Sequence, residues 1–174
     1  MSLGLMIPEN ESIVWRGPML MGALQQMLNQ VQWGEQDILF VDLPPGTGDV
    51  QLTLCQKTNL AGAIIVSTPQ DVALLDARKG IDMFKRLDIP ILGLIENMSS
   101  FICSGCGMTH HPFSHGSIEE EAKKLKTEFL GELPLDLDTR VASDSGVPIV
   151  ASQPENHTAL AFSKIATRIG ELKF

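Results

Sequence analysis

The chain has 174 residues, 44% of them hydrophobic and 20% charged, which is enough for one domain with its own core. A net charge of −8, no tyrosine and no basic run exclude a binder of nucleic-acid backbones, which needs clustered Lys and Arg to displace counterions. No run approaches the roughly 20 apolar residues that span a bilayer, no charged-then-apolar signal segment opens the chain, and three cysteines argue against a disulfide framework. The expected setting is a reducing cytoplasm, or a mitochondrial matrix if the source is eukaryotic, with no stable membrane insertion.

Helical and strand signals alternate along the chain, so the expected fold class is α/β, a mostly parallel sheet flanked by helices, with residues 1–174 forming a single domain. Leu20, Leu24, Met27, Leu28 and Val31 share one face of a helix expected over Gly17 to Val31. Ile38 to Val41 are consecutive apolar residues without polar alternation, the pattern of a strand buried on both faces. A short helix is expected over Val50 to Lys57 and a strand over Ala63 to Ser67. Thr68 offers an N-cap, with Pro69 at the first helical position and Asp71 three residues on, ahead of a helix carrying Leu74, Ala77, Ile81 and Phe84. A strand over Ile91 to Ile95 follows.

Ser99 to Gly116 has neither period and is rich in Cys, His, Gly and Ser, so it reads as a functional loop. Ser117 and Glu120 then form a capping-box pattern for a helix to about Thr127. Phe129 to Leu133 predict a strand, and a short helix ends near Gly146, ahead of Pro148. The last helix, Asn156 to Leu172, carries Leu160, Ile165, Ile169 and Leu172 on the face expected to pack against the sheet. Lys164, Arg168 and Lys173 lie opposite, interrupted by Glu171, a weak pattern for a membrane-surface helix.

The segment DILFVDLPPGTGD, Asp37 to Asp49, runs an apolar strand into an aspartate and then a glycine-rich turn. A carboxylate at the carboxyl end of a parallel strand, here Asp42, stands where such sheets bind ligands and can hold a hard cation such as Mg²⁺. Pro44 and Pro45 stiffen the exit, and Gly46 and Gly48 let backbone N–H groups approach an anion. The alternative is a tight strand-to-helix connection with Asp42 capping the next helix. No window matches G-x-x-x-x-G-K-[ST], the loop whose lysine and helix N-terminus cradle β- and γ-phosphates. The chain is therefore expected not to turn over ATP by itself.

Cys103 and Cys106 form a CxxC pair, two soft thiolates on one small turn, which suits Zn²⁺, an iron–sulfur cluster or a redox disulfide. Two ligands do not close a tetrahedral site. Within one chain His110, His111 or His115 could complete a Cys₂His₂ zinc site, whereas two chains across a two-fold axis would supply the four thiolates of a [4Fe–4S] cluster. Cys55, near Leu52 and Leu54, reads as a buried small hydrophobe.

VDLPPGTGD resembles the Walker B and switch II segment of the Mrp/Nbp35 group of P-loop ATPases, relatives of MinD and ParA that carry iron–sulfur clusters. WRGPML at Trp15 to Leu20, VSTPQDVALLDARKGIDMF at Val66 to Phe84, GLIENMS at Gly93 to Ser99, the CSGC pair, and LPLDLDTRVASDSGVPI at Leu133 to Ile149 follow in that group's order and spacing. The resemblance covers nearly the whole chain, as the portion downstream of a P-loop protein's first strand, loop and helix. The WRGP segment is similar to the mitochondrial branch that serves respiratory complex I assembly. Two positions depart from the group: Ser104 stands where proline is usual, and Gly116–Ser117 where a double glycine opens the next helix.

The resemblance implies an ATP-dependent carrier that assembles [4Fe–4S] clusters and passes them to apo-proteins as a homodimer bridged by the CxxC loops. It implies that Asp42 binds the Mg²⁺ of ATP through water, that Gly46, Thr47 and Gly48 sense the γ-phosphate, and that Asp49 orients the attacking water. It implies further that Asn97 hydrogen-bonds adenine and that Pro134, Leu135 and Asp136 enclose the base. Asn97 capping its strand and Asp136 capping the following helix are the alternatives. At the level of the whole chain the rivals are a MinD-like positioning switch without a cluster and a zinc-stabilised interaction module.

Overall fold

A long strand, β2 (Ile91–Ile102), is the hub of the structure, a computed structural model that describes residues 1–5, 17–44 and 46–172. β1 (Ala63–Ser67) and β4 (Phe129–Leu135) pair with it in parallel on either side, and β3 (Thr109–His110) pairs antiparallel with its far end. Contacts divide the chain into two units, Met1–Asn59 and Leu60–Phe174, and the sheet belongs to the second.

Parallel strands need crossovers, and the alternating pattern supplies them as helices on both faces. On one face α7 (His157–Gly170) places Ile165 and Ile169 against Ile95, Leu130 and Leu133. On the other, Leu74 of α3 (Asp71–Arg86) and Ile118 and Ala122 of α4 (Ser117–Leu125) pack around Leu94. α5 (Leu137–Asp144) and α6 (Ile149–Ser152) close a smaller core of Ala142, Ile149 and Ala159. Arg168 of α7 donates to the carbonyls of Phe129 and Leu130, at 2.7 and 3.2 Å, so the basic face is tied to β4. Leu160, expected to face the core, is exposed, with Ala159 buried in its place.

α3 and α4 are joined by a two-pronged ion pair, Arg78 Nε and Nη2 to Glu121 Oε1 and Oε2 at 2.8 and 2.6 Å. Those bonds hold the buried Glu121 carboxyl below its ordinary range, against the opposing pull of desolvation.

Both expected cap patterns shift. α3 begins at Asp71 with Gln70 as its N-cap, not Thr68, and α4 is preceded by Gly116, not capped by the Ser117 side chain. The Ser117 hydroxyl donates to the Pro69 carbonyl at 3.0 Å, so a tertiary contact draws it away from its own helix end. Asn156 does cap α7, accepting from Thr158 N–H at 2.8 Å.

The first unit holds a short 3₁₀ turn, Leu3–Leu5, and two helices packed together, α1 (Gly17–Gln30) and α2 (Asp49–Lys57). Here the expected strand over Ile38 to Val41 is not formed. The four residues are 40%, 46%, 65% and 39% exposed rather than buried on both faces. A strand exists through its hydrogen-bonded neighbours, and the described residues of this unit provide none. Trp15, Arg16, Pro45 and Lys173 lie outside the described residues.

β2 has no room for a side chain at Gly93, where a Cβ would stand 2.5 Å from Leu130 Cγ. Gly93→Ala is expected to destabilise the protein by about 1–3 kcal/mol through overpacking. Adding Leu130→Ala, which alone should cost about 2–5 kcal/mol, should give a double variant less destabilised than the sum. Urea unfolding of the four proteins checks this; strict additivity would refute the contact.

Candidate functional site

The expected ligand turn after Asp42 is well exposed and leads straight into a helix. Gly46 has φ +93°, a conformation that favours glycine, and Gly48 is the extended N-cap of α2, whose first residue is Asp49. The Gln51 amide donates to the Pro44 carbonyl at 2.6 Å and so folds the turn back on the helix's first turn. Asp42, Thr47 and Asp49 are all exposed around this helix start, whose N-cap, Gly48, has no side chain to cap it. Asp42 does not cap α2.

In the second unit the carboxyl ends of β2 and β4 bring other expected residues together. Asn97 is paired in register with Leu133, and Phe101 with Leu135, so Asn97 stands beside the Pro134–Asp136 stretch. The Asn97 Oδ1 accepts from Met98 N–H at 3.0 Å, and Met98 has φ +55°, at the point where the β2–β4 register breaks. Asp136 caps α5, its Oδ2 accepting from Thr139 N–H and hydroxyl at 3.0 and 2.7 Å. Burial opposes its charge, and the Thr139 bonds prevail, leaving it below the usual carboxylate range. Asp136 thus does the helix-capping work that its sequence context allows, while Pro134 and Leu135 offer backbone at the sheet edge.

The cysteine segment is not a structureless loop. β2 continues through Ser99 to Ile102, and β3 returns beside it with Phe101 opposite His110 and Ile102 opposite Thr109. Cys103 N–H donates to the Met108 carbonyl at 2.9 Å, and Gly107 N–H to the Cys103 carbonyl at 2.8 Å, so the pair sits on the tip of a tight hairpin. Gly107 has φ +72°, which closes the turn. The Cys103 thiol is pushed below its ordinary range by the N–H groups of Gly105 and Cys106 aimed at its sulfur, and by the Cys106 thiol. That is the arrangement a thiolate ligand needs. Phe101, Ile102 and Met108 expose apolar side chains around the tip.

Among the described residues no histidine gathers with both cysteines into a compact ligand set. The His111 Nδ1–H donates to the Ser99 carbonyl at 2.7 Å, and its ring stacks on His115 with centroids 4.6 Å apart. His115 in turn faces Glu96 and Glu132. Cys55 lies half-buried on α2, where burial pushes its thiol up, in keeping with a packing residue.

Glu96 was missed by sequence reasoning. It is fully buried, and its carboxylate accepts from Gly116 N–H and Ile118 N–H, both at 3.2 Å, at the start of α4. The available signal was a single charge inside the apolar run ILGLI-E-N.

Over residues 1–170 the sequence matches the family described as "ParA: NUBPL iron-transfer P-loop NTPase". The chain belongs to this family. It is 48% identical to the iron-sulfur cluster transfer protein NUBPL of Dictyostelium discoideum, over 97% of this chain and 52% of that protein. It is 46% identical to the iron-sulfur cluster carrier protein of Pseudomonas fragi, over 98% of this chain and 59% of that protein. With the Arabidopsis thaliana iron-sulfur protein required for NADH dehydrogenase, mitochondrial, it shares 47% identity, over 97% of this chain and 54% of that protein. The chain thus spans about half the length of these curated family members.

Among solved structures, a nucleotide-binding protein from Archaeoglobus fulgidus, in complex with ADP and with Co found in it, is 39% identical with a TM-score of 0.69, covering 83% of this chain and 58% of that one. The cell division ATPase MinD of Pyrococcus furiosus, 22% identical over 88% of this chain and 58% of its own, shares the fold with a TM-score of 0.64. The family member thus has a MinD/ParA-like α/β fold with a mostly parallel sheet, and among its described residues no helix is long and apolar enough to cross a membrane.

The two thiol environments are separable in solution. The pH profile of Cys103 alkylation, read by mass spectrometry after brief iodoacetamide pulses, is expected to rise at lower pH than that of Cys55, because a lowered thiol pKa populates the thiolate earlier. Coincident profiles would contradict the N–H contacts to Cys103.

Proposed function

We propose that this chain is the cluster-bearing portion of an ATP-dependent iron–sulfur carrier, which assembles [4Fe–4S] clusters and transfers them to apo-protein acceptors. The observation that carries the reading is the hairpin tip, where two cysteines are exposed or half-exposed and backbone N–H groups favour the thiolate at Cys103. Electrostatics that favour a thiolate suit a soft metal, and exposure suits release of the cargo rather than its long-term retention. Relatives named as cluster carriers and transfer proteins support the same reading.

One chain provides only two thiolates at the tip, and four are needed, so the proposed holder is a homodimer with one cluster between two hairpins. The exposed Phe101, Ile102 and Met108 give that interface an apolar rim.

In the proposed nucleotide site Asp42 holds Mg²⁺ through water, Gly46, Thr47 and Gly48 follow the γ-phosphate, and Asp49 orients water. Asn97 and the Pro134–Asp136 backbone take the adenine, a placement supported by their adjacency on β2 and β4 and by the ADP complex of the Archaeoglobus relative. The donors this chain offers fit that role in part: a glycine turn, a helix start and an amide at the sheet edge. ATP supplies the phosphoryl chemistry when bound, and the phosphate-cradling lysine it needs is not in this sequence. The proposed setting is the cytoplasm or the mitochondrial matrix, the latter supported by the Arabidopsis relative's mitochondrial designation.

Anaerobic reconstitution of the full-length protein with iron and sulfide tests the reading. Cys103→Ala or Cys106→Ala is expected to abolish both the iron–sulfur charge-transfer absorbance and transfer to an apo-acceptor, while Cys55→Ala leaves both intact. A wild-type protein that binds no iron but one zinc per chain would point to the interaction module, and one that binds neither metal yet dimerises with ATP would point to the MinD-like switch.

A further inference from the structure

Glu96 and Glu132 are cross-strand partners in the β2–β4 register, which puts two carboxylates side by side on one face of the sheet. Like charges so placed repel, and the repulsion is least screened where one group is out of water, as Glu96 is. Among the described residues no Lys or Arg pairs with either carboxylate. The group that faces both is the imidazole of His115, whose Nδ1 lies 3.2 Å from Glu96 Oε1 and 3.5 Å from Glu132 Oε2.

These spacings have a second meaning. Donor atoms bound about 2.1 Å from one cation stand roughly 3.0 Å apart at an octahedral edge and roughly 3.4 Å apart at a tetrahedral one. One donor atom from each of the three residues lies within 4.8 Å of the others. The surroundings also hold the donors in place. His115 is flanked by Ser114 at φ +74° and Gly116 at φ +81°, a left-handed pair that turns the chain back toward the sheet, and for Ser114 the conformation is strained. Its ring is stacked on His111, itself fixed to the Ser99 carbonyl. Glu96 is oriented by Gly116 and Ile118 N–H, the outer contacts that a metal-binding carboxylate commonly has. His115 and Glu132 are half-exposed, which leaves an entry path.

We propose that Glu96, His115 and Glu132 form a mononuclear site for a borderline first-row divalent cation such as Fe²⁺, Co²⁺ or Zn²⁺, separate from the Cys103–Cys106 pair. The imidazole among the donors disfavours Mg²⁺ and Ca²⁺, and three protein ligands leave positions for water. An ion there would neutralise the two carboxylates and tie the segment returning from the cysteine hairpin to both parallel strands.

The test uses the full-length protein carrying Cys103→Ser and Cys106→Ser, titrated anaerobically with Co²⁺ without nucleotide. The expected result is about one Co²⁺ per chain, with visible d–d bands, no sulfur-to-cobalt charge-transfer band, and a raised melting temperature. Adding His115→Ala or Glu132→Gln should weaken uptake at least about tenfold. Glu132→Gln is isosteric and half-exposed, so circular dichroism should show its fold retained. Failure of the doubly substituted protein to take up Co²⁺ would leave the three residues as a polar contact only and overturn the proposal. So would uptake undiminished in both variants.

Discussion

A buried carboxylate sets the layout of the sheet's working end. Glu96 lies in the central strand with 0% exposure, and removing such a charge from water costs several kcal/mol unless it is paired and hydrogen-bonded. The partners that offset this come from a single stretch downstream: Gly116 N–H and Ile118 N–H at the start of α4, and the His115 imidazole. The chain leaving β2 must therefore make its cysteine hairpin and come back to Glu96 before α4 can begin. α4 is capped from across the fold, which frees the Ser117 hydroxyl for Pro69 and fixes where α3 and α4 start relative to one another.

The same strand then carries the chemistry outward in order. Glu96 anchors the return, Asn97 meets the end of β4, Met98 turns with a positive φ, and Phe101 and Ile102 lead to Cys103 at the hairpin tip. In the proposed roles, the group that meets the base lies on β2 and the sulfur that meets the cluster follows directly after its last residue. Backbone N–H groups reinforce the arrangement: those of Cys103 and Gly107 close the CxxC turn, and those of Gly105 and Cys106, inside it, favour the thiolate at Cys103.

Elements governed by local periodicity were legible in the sequence. β1, α2, α3 and α7 appear within a residue or three of their expected limits, since their apolar stripes are read at 2 or 3.6 residues without reference to partners. What escaped depends on distant groups. The Ser117 cap was displaced by a contact between residues 48 apart, and β2 extends beyond Ile95 because β4, and at its far end β3, pair with it. Ile38 to Val41 carry a strong strand pattern but lack a neighbour among the described residues of their unit. At the site, the CxxC pair was readable from spacing alone. The Glu96–His115–Glu132 group was not, because its members are scattered along the sequence and meet only through strand register and a turn.

The proposal that most of the functional reading rests on is a cluster shared between two hairpins. Native mass spectrometry of the anaerobically reconstituted full-length protein addresses it directly, because one spectrum gives chain count and cluster mass together. The expected species is a dimer carrying one [4Fe–4S] cluster, falling to bare monomers as the cluster is lost. A monomer that retains an intact cluster would contradict it.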